Sequence, residues 1–96
     1  MTNNQRSNYI YELVGIIIEK KKLKIRDREC FKLKVETHNQ VPFISAFKDK
    51  LKNENIWTEI ENNRFVDKKY TFYCRNYFGK YHLVNWQKLQ DHGSHK

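Results

Sequence analysis

The segment Cys30–Thr37 reads Cys-Phe-Lys-Leu-Lys-Val-Glu-Thr. Phe31, Leu33 and Val35 fall on one face, and Lys32, Lys34 and Glu36 on the other. A period of two is strand geometry, with successive side chains on opposite sides of the pleat. One side therefore packs, and the other meets solvent or a ligand.

Strand signals dominate the remaining chain as well. Tyr9–Glu19 is β-branched and aromatic and predicts a first strand. Gly15 interrupts it, as a glycine does at a bulge or a barrel corner. Lys20–Lys22 reads as a charged link. Leu23–Arg26 alternates again, with Leu23 and Ile25 on one side and Lys22, Lys24 and Arg26 on the other. Asp27 and Arg28 read as a turn, and Thr37–Pro42 as a loop. Phe43–Lys48 predicts a further strand with a mixed pattern, which suggests burial on both sides. Lys69–Tyr77 and Lys80–Leu89 predict the last two strands. Tyr77-Phe78-Gly79-Lys80 reads as the hairpin between them, Gly79 supplying positive φ.

Only Asp49–Asn63 breaks the alternation. Leu51, Ile56, Trp57 and Ile60 are spaced for an irregular helix, and Asn53 is a suitable N-cap for Glu54–Glu61. The order is three strands, one short helix and two strands. Ninety-six residues have room for one domain and one modest core. The expected fold is all-β with one short helix: a five-stranded OB-fold barrel, its helix between strands three and four. Residues 9–89 form that domain, and residues 1–8 and 90–96 are expected as tails.

The charge is lopsided. Nineteen Lys and Arg against eleven Asp and Glu leave +8. Lys20–Lys34 holds eight cations and two acids, and Arg64–His82 five cations and one acid. Val35–Asn63, between them, is net acidic, with three cations and five acids. Two basic segments flanking an acidic one can fold into one basic face, the footprint of a polyanion partner. Cys30 and Cys74 lie far apart in strand-like surroundings, with no metal-site spacing, and read as buried free thiols. His92 and His95 read as part of the tail rather than as metal ligands. The longest apolar run, Val14–Ile18, is far short of the ~20 residues of a membrane span. No signal peptide opens the chain, so a soluble, cytoplasmic protein is expected.

Several segments resemble bacterial-type single-stranded DNA-binding proteins. Leu13-Val14-Gly15-Ile16-Ile17 is similar to their opening strand, where a glycine follows two aliphatics. Phe43-Ile44-Ser45-Ala46-Phe47-Lys48 resembles their third strand, followed here too by a helix. Lys68-Lys69-Tyr70-Thr71-Phe72-Tyr73-Cys74-Arg75 and His82-Leu83-Val84-Asn85-Trp86-Gln87-Lys88-Leu89 resemble the fourth and fifth. The glycine-rich acidic tail of the family does not appear, and the last hairpin is short, so the likeness is to the short, tailless primosomal members. The resemblance implies an OB barrel that binds single-stranded DNA in replication, recombination or mobile-element maintenance. It also admits a homodimer or a partner replication protein.

The residues support that chemistry on their own account. Sequence-tolerant binding of an unpaired strand needs cations along the phosphates and aromatic rings on which bases stack. Aromatics are 15% of the chain, and they interleave with cations in its last third. Tyr73, Arg75 and Tyr77 share one face of the fourth strand; Phe72, Cys74 and Asn76 share the other. The expected contact set is Lys22, Lys24, Arg26, Lys32, Lys34, Lys69, Tyr73, Arg75, Tyr77, Lys80, Tyr81 and Trp86, with Lys22, Lys24, Arg26, Lys32 and Lys34 on the outward faces of adjacent strands. Phe31, Phe47 and Phe72 are expected in the core, and Trp57 as a plug of the barrel end. No catalytic motif is present, and no cofactor is expected. An RNA-binding OB module and a protein-interaction subunit are the alternatives.

Overall fold

A computed structural model describes residues 9–89. The expected tails, His92 and His95 included, lie outside the described residues. Five strands form a closed barrel in the order β1-β2-β3-β5-β4. They are β1 (Tyr11–Ile25), β2 (Arg28–Thr37), β3 (Phe43–Phe47), β4 (Lys69–Tyr77) and β5 (Lys80–Lys88). A 3-10 turn (Lys48–Lys50) and helix α1 (Glu54–Glu61) connect β3 to β4. The β3–β5 pairing is parallel and the other four are antiparallel. This is the mainly β, OB-type arrangement that the strand and helix order predicts.

The first strand is longer than its sequence suggests. Its first part pairs with β4, and from Gly15 onward it pairs with β2. The supposed link Lys20–Lys22 and the segment after it are thus a continuation of β1. Charge does not interrupt a strand whose backbone has a partner, and Lys20–Lys22 face Leu33, Lys32 and Phe31 of β2. The turn sits one residue earlier than expected, at Arg26 and Asp27, both in the left-handed region (φ 52° and 65°). Arg28 opens β2.

A bulge between Ile17 and Glu19 corrects a second expectation. The extra residue reverses which side chains of β1 point inward. Gly15 and Ile17 are buried before it, whereas Lys20 and Lys22 continue the inner side after it, opposite Leu33 and Phe31. Lys22 and Lys24 therefore do not share a face with Lys32 and Lys34, which lie opposite Lys21 and Glu19.

Helix α1 closes one end of the barrel. Asn53 Oδ1 accepts from the Asn55 amide at 2.8 Å, the predicted cap. Ile56, Trp57 and Ile60 are buried, and the Trp57 ring lies 4.3 Å from that of Phe31. Trp57 is the plug its position suggests. Lys20 Nζ donates to the carbonyls of Ile60 (3.1 Å) and Glu61 (3.3 Å) at the helix C-terminus. A cation there satisfies orphan carbonyls and opposes the helix dipole. This explains how a lysine comes to lie on the inner side of β1.

Leu33, Val35, Ile44, Tyr70 and Phe72 fill the interior. Cys74 and Cys30 are buried free thiols, and burial pushes the Cys74 thiol up to about 12. Among the described residues, no helix is long and apolar enough to cross a membrane.

Candidate nucleic-acid interface

The barrel register builds one continuous outer row. Lys21 of β1 faces Lys32 of β2, and Lys32 faces Ser45 of β3. Ser45 faces His82 of β5, which faces Arg75 of β4. Cross-strand partners point to the same side of a sheet. Four nitrogen-bearing side chains and a hydroxyl therefore follow one another across all five strands.

Aromatic rings border this row. Phe43 is 50% exposed, with Lys32 Nζ 4.8 Å and Lys34 Nζ 5.9 Å from its ring centre. Together with Glu19, Lys21 and Leu23 these residues line a shallow groove of about 260 Å³. Glu19 approaches Lys34 at 3.8 Å, a half-exposed contact worth little in water.

Phe47 lies on the other flank. It is buried, at 8% exposure, but not in the barrel interior where the sequence reading put it. It faces Cys30 across the β2–β3 ladder, whereas the inward pair is Phe31 and Ala46. Alternation leaves Phe47 on the outer side with Phe43 and Ser45. The Arg28 guanidinium lies 4.3 Å from its ring centre, and the His82 ring stacks on it at 5.5 Å, 8° from parallel. The sandwich removes Phe47 from water without the core.

Arg28 is itself held by two hydrogen bonds to Asp49, at 2.9 and 3.0 Å. That fork keeps the Asp49 carboxyl below the usual carboxylate range. Tyr77 meets the His82 ring edge-on at 4.9 Å. Burial first, then the Arg28 and Lys80 cations, hold His82 below its ordinary pKa. Arg28, Lys50, Arg75, Tyr77 and His82 line a cleft of about 540 Å³.

The structure thus gathers Lys32, Lys34, Arg75, Tyr77 and Lys80 from the expected set. Tyr73 lies further along the outer side of β4, its hydroxyl donating to Gln87 Oε1 at 3.2 Å. Lys69 is exposed at the opposite end of β4, and Arg26 at the β1–β2 tip. Lys22 stands apart, within ion-pair distance of Glu61 (3.4 Å) and Glu29 (3.8 Å). Tyr81 and Trp86 are half-buried against the core, and the Trp86 ring stacks on Tyr70 at 4.0 Å.

Lys21, Arg28, Phe43, Phe47, Lys50 and His82 were not in the expected set. The alternation Phe43-Ser45-Phe47 held the signal for the two phenylalanines. The other four depend on register and loop placement, which the sequence does not display. Among the described residues, no group of three or more His, Cys, Asp and Glu side chains is placed to hold a metal ion.

Phe78 stands out at the β4–β5 tip. It is fully exposed and sits in the left-handed region, at φ 53°. The Gly79 amide donates to Asn76 Oδ1 at 2.9 Å, which braces the turn. A left-handed backbone costs an ordinary side chain roughly 1–2 kcal/mol, and asparagine tolerates it far better. Phe78→Asn should therefore raise stability by about 1 kcal/mol, since no burial is lost. Urea unfolding checks this, and a variant no more stable than the parent contradicts strain at the tip.

Comparison with protein-family models, with curated proteins and with solved structures gives no match.

Proposed function

We propose that the protein binds single-stranded DNA, without strong sequence preference, along the outer face of β2, β3, β5 and β4. One observation carries the reading: the cross-strand row of Lys21, Lys32, Ser45, His82 and Arg75, bordered by Phe43 and Phe47. Cations spaced along a barrel face suit a phosphate backbone, and the half-exposed Phe43 ring beside them suits an unpaired base. A duplex offers no base faces, so it gains only the electrostatic part. The net charge of +8 supports the same partner.

The reading contains no catalytic step and needs no cofactor. Its place is DNA replication, recombination or mobile-element maintenance. The free thiols Cys30 and Cys74 suit a reducing compartment, and the cytoplasm is proposed on that ground. A second copy or a replication protein are partners the reading allows.

Titration of end-labelled dT oligomers, U oligomers and a duplex, each at several salt concentrations, tests the reading. Micromolar binding of dT is expected. With four phosphates contacted, log affinity should fall against log salt with a slope near −3. Duplex should bind clearly more weakly at matched salt. Tighter binding of U than of dT turns the assignment to RNA. Absence of binding at low salt, or equal affinity for duplex, overturns it.

A further inference from the structure

A second row runs beside the first on the outer face. Two residues along the strands from Lys21, Lys32 and Ser45 stand Glu19, Lys34 and Phe43, cross-strand partners in that order. The offset between the rows is roughly 7 Å. A strand whose phosphates follow the first row therefore lays its bases over the second. Phe43 offers a half-exposed ring there. Glu19 stands on the far side of Lys34, two strand spacings or roughly 10 Å from Phe43. It is the acid of a groove whose other charged lining residues are Lys21, Lys32 and Lys34. A carboxylate in that place repels phosphate and weakens the face, unless the ligand meets it with donors. The Glu19 side chain is 64% exposed, and Lys34 Nζ, at 3.8 Å, is too far to donate a hydrogen bond. Among the described residues no other group bonds to it, so its acceptor capacity is open to a ligand.

We propose that Glu19 selects guanine as the base that lies on Phe43. The inference rests on the proposed binding function and names the base that one position of the strand favours. An ionised carboxylate accepts hydrogen bonds and donates none. The free edge of guanine presents two adjacent donors, N1–H and the N2 amino group. They match the two carboxylate oxygens in a parallel, charge-assisted pair. Cytosine and adenine present one amino group beside an acceptor nitrogen. Thymine presents one N–H between two carbonyls, whose partial charges repel the carboxylate. Unpaired bases leave this edge open to a protein, which a duplex does not. A purine on Phe43 also spans more of the distance to Glu19 than a pyrimidine does. The methylene stem of Lys34, between ring and carboxylate, extends the floor beneath the base. One read position leaves the rest of the strand unread, so the face remains tolerant of sequence.

The test uses the full chain and a short dT oligomer whose middle base is thymine, guanine, hypoxanthine, cytosine or adenine. The oligomer can slide to set that base in the groove. The guanine form should bind about tenfold more tightly than the all-thymine form, the lower end of what a bidentate contact discriminates. Hypoxanthine, which is guanine without the amino group, should lose most of that advantage. Glu19→Gln should bring the guanine and thymine forms together, because an amide both donates and accepts and so suits the thymine edge as well. Glu54→Gln, which removes a carboxylate from α1 instead, should keep the guanine advantage. Equal affinity of the parent for guanine and thymine forms overturns the inference and leaves the strand-binding reading standing. Tighter binding of the cytosine or adenine form than of the guanine form does the same. So does a Glu19→Gln variant that binds every form more tightly with their ratio unchanged, since Glu19 then acts by charge repulsion alone. Failure of every form to bind at low salt overturns both readings.

Discussion

Gly15→Ala should cost about 3 kcal/mol of stability, and Gly15→Val should leave no folded barrel. At Gly15 strand β1 faces β2 and β4 at once, pairing with Thr37 on one side and Tyr70 on the other. A Cβ built there presses on the Glu36 carbonyl oxygen and comes within 2.9 Å of Val35 Cγ1. The carbonyl belongs to the β2 backbone and cannot swing aside like the end of a flexible side chain. Relief requires the ladder to open at the barrel corner. Stabilities of small domains are about 5–15 kcal/mol, so this one methyl removes a large share. Urea unfolding followed by far-UV circular dichroism checks it. A Gly15→Ala variant within about 0.5 kcal/mol of the parent contradicts the close approach.

The triple substitution Phe43→Ala, Lys32→Ala and Lys34→Ala should weaken single-strand binding by about a hundredfold while the barrel stays folded. Loss of one stacked base accounts for about 1–3 kcal/mol. Loss of two phosphate contacts should also make the salt slope shallower by about 1.4. Phe43 is half exposed, and both lysines extend outward from β2, so little core is disturbed. The same oligomer titrations read both effects. An unchanged salt slope would place the strand elsewhere on the protein.

The fold was largely legible, because a short barrel writes its inner face as alternation. Phe31, Leu33 and Val35 predict β2, and Asn53 with Ile56, Trp57 and Ile60 predicts α1. The lysines of β1 were harder to place. Local alternation sorts Lys22 and Lys24 from Leu23 and Ile25 correctly. Which set faces outward depends on the one-residue bulge after Ile17. No residue there announces it, since Ile18 reads as one more strand residue. The same ambiguity hid Phe47: a large apolar ring next to Ala46 reads as core, and only its neighbours Arg28 and His82 explain burial outside it. Arg75 and Tyr77 were identifiable because Phe72 and Cys74 fix the inner side of β4. The cleft was not, since its members come from β2, β4, β5 and the turn after β3.

A backbone-amide chemical-shift map during titration with a dT oligomer tests the central claim most directly. The account predicts the largest shifts at Lys32, Lys34, Phe43, Ser45, His82 and Arg75, with little change in α1. Shifts concentrated on α1 and on Lys20, Lys22 and Lys24 of β1, with the outer row unchanged, would contradict it.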